Sequence, residues 1–152
     1  RLTSHCDCDQ DNSVNHIRDC IALLGVERID HGVNVVDDDG LMEAVRERNI
    51  GLTVCPTWRP SDPKPRRVRR LRRLYEEGLL ASINTDAPEE FANGYLNNTI
   101  VGVQKEGQFT RQELIDFMRN AFESSFLSAE KKRTYIERLE SYSRANAAAR
   151  TA

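Results

Sequence analysis

The stretch VERIDHGVNVVDDDGLMEAVRERNIGLTVCP, Val26 to Pro56, holds two short apolar runs with an amphipathic segment between them. Val26 to Asp30 reads as a strand that runs into His31-Gly32. Asp37, Asp38 and Asp39 then open a helix, where carboxylates meet the positive end of the helix dipole, and Leu41 and Val45 mark its inward side. Ile50 to Val54 is the next strand, closed by Cys55-Pro56. A strand, a helix of this length and a second strand make a βαβ unit with parallel strands.

The same alternation extends in both directions. Upstream, Arg1 to Asp7 reads as the end of a strand, and Asp11, Asn12 and Ser13 offer caps for a helix with Val14, Ile17, Ile21 and Leu24 at helical spacing, stopped by Gly25. Downstream, Pro56, Pro60, Pro63 and Pro65 exclude regular structure and mark a loop. A helix follows with Val68, Leu71 and Leu74 on one side and Arg66, Arg67, Arg69, Arg70, Arg72 and Arg73 around them, ending before Gly78. Leu79 to Asn84 is the last strand, and Thr85-Asp86-Ala87-Pro88 closes it. That makes about four parallel βα units. Beyond them, Thr110 and Glu113 form a capping box, with Phe109 and Leu114 spaced as a hydrophobic staple, for a helix from about Arg111 to Phe126. A final helix runs from about Ala129 past Tyr142 with Ser128 as its cap, and the tail from Ala145 to Ala152 is expected to fray.

With 152 residues, 39% hydrophobic and 30% charged, the chain suits one ordinary globular domain, and its net charge of -2 requires neither an acidic nor a basic partner. No run approaches the roughly 20 apolar residues of a membrane span, and Arg1 to Asp9 lacks a signal-peptide core, so no membrane partner and a cytoplasmic location are expected. The chain starts at Arg1 rather than Met, which leads us to expect sequence upstream. Cys6, Cys8, Cys20 and Cys55 are expected to be free thiols, with Cys20 and Cys55 in the core. Paired C-x-x-C motifs and the H-x-E with P-C-x-x-C pattern are absent, which sets aside a zinc ribbon and the cytidine-deaminase kind of zinc site.

In parallel barrels the reactive side chains gather at the C-terminal ends of the strands. His5, His31, Cys55-Pro56 and Asp86 fall at those ends in turn, while His16 lies inside a helix as a surface residue. Imidazole nitrogen and carboxylate oxygen are the donors of a catalytic zinc site, although a histidine near a strand end is often only a hydrogen-bonded structural residue.

Taken in order, Arg28-Ile29-Asp30-His31-Gly32-Val33, Leu52-Thr53-Val54-Cys55-Pro56-Thr57, Ile83-Asn84-Thr85-Asp86 and Asn120-Ala121-Phe122-Glu123-Ser124-Ser125-Phe126 resemble the adenosine/adenine deaminase family, from about His5 to Tyr142. The resemblance implies a (β/α)8 barrel, of which residues 1–144 would be the C-terminal half. It implies a zinc ion held by an early His-x-His pair, a later His matched by His5 and a final Asp matched by Asp86. His31 matches the family's catalytic histidine, which orients and helps deprotonate the attacking water, and Asp86 would also contact the reacting groups. The implied reaction is hydrolytic removal of the amine of an aminopurine, adenine or adenosine, with release of ammonia. The early His-x-His pair has no counterpart among His5, His16 and His31, so the missing N-terminal half of the barrel is the expected partner. The alternative is a catalytically inactive deaminase-like fragment or interaction subunit. No cofactor besides zinc is implied.

The chain also departs from the pattern. Cys8 stands where the family carries a glutamate that protonates the purine ring. If the strand pleat continues, His5, Asp7 and Asp9 share one side, which makes Asp7 the nearest substitute acid and a substrate contact. Asp7 and Asp9 read equally as caps of the next helix. Ala87 replaces a second aspartate that would contact the purine, and Trp58-Arg59 replaces Ser-Asn, so both bear on substrate rather than fold. A local metal site in His5-Cys6-Asp7-Cys8 is disfavoured because alternation divides its ligands between two faces. The arginine-rich helix suits a solvated outer face, so no nucleic acid partner is expected.

Overall fold

In the computed structural model, residues 1–6, 9–56, 66–91 and 95–148 are described. Asp7, Cys8, Trp58, Arg59, the prolines at 60, 63 and 65, and the last four residues of the expected tail lie outside them. Four strands, β1 (Thr3–Cys6), β2 (Arg28–His31), β3 (Gly51–Val54) and β4 (Ala81–Ile83), form one parallel sheet in sequence order. The pairings Cys6 with His31, Asp30 with Thr53 and Val54 with Ile83 bring the C-terminal ends of all four to one rim. The connections are α1 (Ser13–Asp19) with a π-helical turn (Cys20–Leu24), a 3₁₀ turn (Val33–Asp37) leading into α2 (Asp39–Glu47), and α3 (Arg66–Glu76). Then come α4 (Pro88–Phe91), α5 (Leu96–Gly107), α6 (Arg111–Glu123) and α7 (Ala129–Ala148). This is the expected α/β fold, four strands of a (β/α)8 barrel followed by C-terminal helices.

Local chemistry explains where the elements start and stop. The Asp38 carboxylate accepts the backbone N–H of Leu41 at 2.8 Å and so caps α2. Gly25 takes the left-handed conformation (φ 62°) that ends the π-helical turn. Ile17, Ile29, Val45, Leu52, Val54, Leu71 and Leu74 are fully buried between sheet and helices, and burying such a side chain stabilises by about 1.5–3 kcal/mol. Strand alternation leaves the opposite face of the sheet polar. There Asp30 accepts from Thr53 Oγ1 at 2.7 Å and from Thr3 Oγ1 at 3.2 Å, with Arg28 Nε 3.4 Å away.

The capping box forms as expected: Thr110 Oγ1 accepts from Glu113 N at 3.2 Å and Glu113 Oε2 accepts from Thr110 N at 2.7 Å. Three boundaries differ from expectation. Asn12 precedes α1 but caps it with no side-chain bond, because its carbonyl group is taken by Asn15 Nδ2. Helix α6 ends at Glu123, not Phe126, where the Ser124 and Ser125 hydroxyls donate to the carbonyls of Asn120 (2.8 Å) and Phe122 (2.7 Å). Residues Ala145 to Ala148 continue α7 instead of fraying, as alanine's high helix propensity favours.

Four of the six α3 arginines are engaged rather than merely solvated. Arg67 pairs with Asp9 at 2.6 Å, Arg70 with Asp37 at 2.7 Å, Arg73 with Asp39 at 2.9 Å, and Arg72 with Glu113. Arg72 also lies 3.9 Å from the Phe109 ring centroid, which ties α3 to the start of α6.

Candidate active site

Two of the expected site residues hold strained backbone. His31, the last residue of β2, has φ 67° and Asp86, just past β4, has φ 62°. A non-glycine residue in this region costs of order 1–3 kcal/mol and persists where the surroundings enforce it. Next to His31, Gly32 has φ 68°, and a Cβ there would lie 2.9 Å from Leu52 Cδ2. The conformation and the space both demand glycine, and this turn carries His31 over the rim of the sheet.

At that rim the rings of His5 and His31 meet edge to face, with centroids 4.7 Å apart at 88°. His31 Nε2 lies 3.8 Å from Asp86 Oδ2. A cavity of about 520 Å³ opens here, and His5, His31 and Asp86 all line it together with Asp30, Thr53, Cys55, Asn84, Thr85 and Leu96. The three site residues expected among the described part of the chain therefore share one mouth. His31 is 8% exposed, so its imidazole lies largely shielded from water. Two other cavities, of about 510 and 430 Å³, have neither histidine nor cysteine among their lining residues. His16 is exposed on α1, as expected of a surface residue.

Cys55 is buried, as expected of a core residue. It also faces the site, since atoms of His31, Cys55 and Asp86 lie within 4.8 Å of one another. Burial first, and then the negative charge of Asp86, push its thiol up to about 12, so it stays neutral at ordinary pH. Cys20 is half-buried and packs against the core. Asp30 and Asn84, to which the sequence assigned no role of their own, also line the cavity. The alternation of β2 could have shown Asp30, which must share a face with Arg28 and oppose Ile29. Asp7 and Cys8 lie outside the described residues, as do Trp58 and Arg59.

For zinc the test is the kind of donor present. Imidazole nitrogens from His5 and His31 and a carboxylate from Asp86 line one cavity, and these are the groups a zinc site uses. The ligand atoms that lie within 4.8 Å of one another are those of His31, Cys55 and Asp86, a set that does not include His5. In kind, the donors fit the metal.

The parallel βα units bring His5, His31 and Asp86 to one cavity at the C-terminal rim of the sheet. The profile of the adenosine deaminase family matches residues 2–142, and the chain belongs to that family. An uncharacterized deaminase of Schizosaccharomyces pombe is 39% identical over 145 residues, covering 95% of this chain and 43% of that protein. The adenine deaminase of Hahella chejuensis is 35% identical over 132 residues, covering 84% of this chain and 38% of its own length. Among solved structures, adenine deaminase from Arthrobacter aurescens superposes with a TM-score of 0.81 at 25% identity, over 95% of this chain and 44% of that one. An amidohydrolase from Burkholderia ambifaria with bound Zn gives a TM-score of 0.79 at 23% identity, over 97% and 43%. The chain spans about two fifths of the length of these relatives.

Proposed function

We propose that this chain forms one side of the active site of a zinc-dependent adenine deaminase, completed by metal ligands outside it. The observation that carries the reading is the convergence of His5, His31 and Asp86 on one mouth. Curated relatives that are adenine deaminases support the base over the nucleoside as substrate.

His5 and Asp86 would hold the zinc, and Asp86 would also contact the reacting groups. Zinc, when bound, supplies Lewis acidity that lets water ionise near neutral pH. His31, buried and 3.8 Å from the Asp86 carboxylate, would orient the attacking water and accept its proton. Asp7 would donate a proton to the purine ring nitrogen, which makes the ring carbon electrophilic. Water adds at the carbon bearing the amine, that C–N bond breaks, and the products are the oxo-purine and ammonia. The turn at Ala87 leaves one substrate contact to be supplied by another group.

The test uses an enzyme that carries this chain together with the complementary part of the barrel. Ammonia release from adenine and adenosine is followed alongside metal analysis. His5→Ala and Asp86→Ala should empty the metal site, whereas Asp7→Asn should keep zinc and lower turnover by about 10²–10⁴-fold. Full zinc content in both metal-ligand variants would overturn the metal reading. An Asp7→Asn enzyme at full rate would leave Asp7 as a helix cap.

A further inference from the structure

We propose that Cys6 and Cys20 are a thiol pair that closes to a disulfide under peroxide, a redox-modification site on the back of the strand that carries His5. The two Sγ atoms are 3.6 Å apart, and Cys20 Sγ also donates to Ser4 Oγ at 3.2 Å. Both cysteines are free thiols. The remaining described thiol, Cys55, lies away at the cavity and donates to the carbonyl of Thr53 at 3.5 Å.

Position gives the pair its interest. Cys6 follows His5 and is the partner of His31 across β1 and β2. Alternation turns its side chain away from the cavity and toward the helices, where Cys20 opens the π-helical turn after α1. A bond between them would tie the rim end of β1 to the end of that helix, directly behind the two histidines. To close the bond the sulfurs must approach from 3.6 Å to about 2.05 Å. The inference stands apart from the deaminase reading, since it needs neither metal nor substrate.

The accessibilities assign the roles. Cys20 is half-buried and meets the oxidant, while Cys6 is 3% exposed and acts from inside. Hydrogen peroxide transfers one oxygen to the Cys20 sulfur, giving a sulfenic acid and one water. The Cys6 sulfur then attacks the Cys20 sulfur, the S–OH bond breaks, and the hydroxyl leaves with the Cys6 proton as a second water. Two thiols are oxidised by two electrons and one peroxide is reduced.

The experiment takes an enzyme that carries this chain together with the complementary part of the barrel, treats it with hydrogen peroxide, blocks free thiols with iodoacetamide and maps unreduced tryptic peptides by mass spectrometry. No Lys or Arg separates Cys6 from Cys8, so a Cys8→Ser chain is mapped in parallel. The expected product is a Cys6–Cys20 link in both chains, at least about tenfold above any other pair and reversed by dithiothreitol. Cys6→Ser should lose it. The proposal is overturned if the Cys8→Ser chain forms no link, if Cys20 accumulates as sulfinic acid while Cys6 remains alkylatable, or if Cys6→Ser yields a Cys8–Cys20 link in undiminished amount.

Discussion

At the residue scale, glycines before and after β2 separate two kinds of constraint. Gly25 and Gly32 both hold positive φ, but a Cβ on Gly25 meets nothing within 4 Å whereas one on Gly32 meets Leu52 and Ile29 side chains at 2.9 and 3.0 Å. Gly25→Ala should therefore cost only the left-handed backbone, about 1–2 kcal/mol. Gly32→Ala should cost that and a further 1–3 kcal/mol or so for overpacking. Urea unfolding midpoints of the two variants test the order, and equal losses would show that space beside Ile29 is not limiting. Gly32 adjoins His31, so the larger loss falls on the turn that presents the imidazole.

At the element scale, the start of α6 is held by chemistry that responds to pH. The Thr110 backbone N–H, and then the Arg72 guanidinium, hold the Glu113 carboxyl below its usual range. A lowered folded value means that this contribution is fully present above the ordinary value of 4.5 and disappears as pH falls through the lowered one. Glu113→Gln keeps the shape of the box but not the charge. It should unfold at a lower temperature than the native chain at neutral pH, with the difference shrinking as the pH drops below 4.5. A difference constant with pH would assign it to the cap alone. The other end of α6 is packed against β3, where a Cβ on Gly51 would lie 2.3 Å from Ser124 Cβ. Gly51→Ala should destabilise by about 1–3 kcal/mol, and adding Ser124→Gly should recover part of the loss, the non-additivity expected of residues in contact.

At the scale of the whole molecule, the sheet order β1-β2-β3-β4 leaves β1 and β4 each with one hydrogen-bonded neighbour among the described residues. Under the proposed function, His5 and Asp86 are two ligands of a site that needs further donors, and His31 is kept for proton transfer. The 152-residue chain alone should accordingly bind zinc weakly and release no measurable ammonia from adenine. Titration with zinc, read by competition with a chromophoric chelator, checks this. Stoichiometric tight binding would mean that His31 or Cys55 ligates the metal instead.

The sequence by itself determined the four βα units and the rim at which His5, His31 and Asp86 fall. Those features depend on local periodicity, capping and the parallel pairing that a helical crossover enforces. It showed the capping box at Thr110 and Glu113 for the same reason. Only the tertiary structure decided that Cys55, though buried, also lines the cavity, since a residue just past a strand end has no pleat to fix its side. The arginines of α3 likewise read as a solvated face until Asp9, Asp37, Asp39 and Glu113, distant in the chain, were brought beside them. The contact between Cys6 and Cys20 belongs to the same class. Fourteen positions and an intervening helix separate the two sulfurs in sequence, and the packing of that helix against β1 is what sets them 3.6 Å apart.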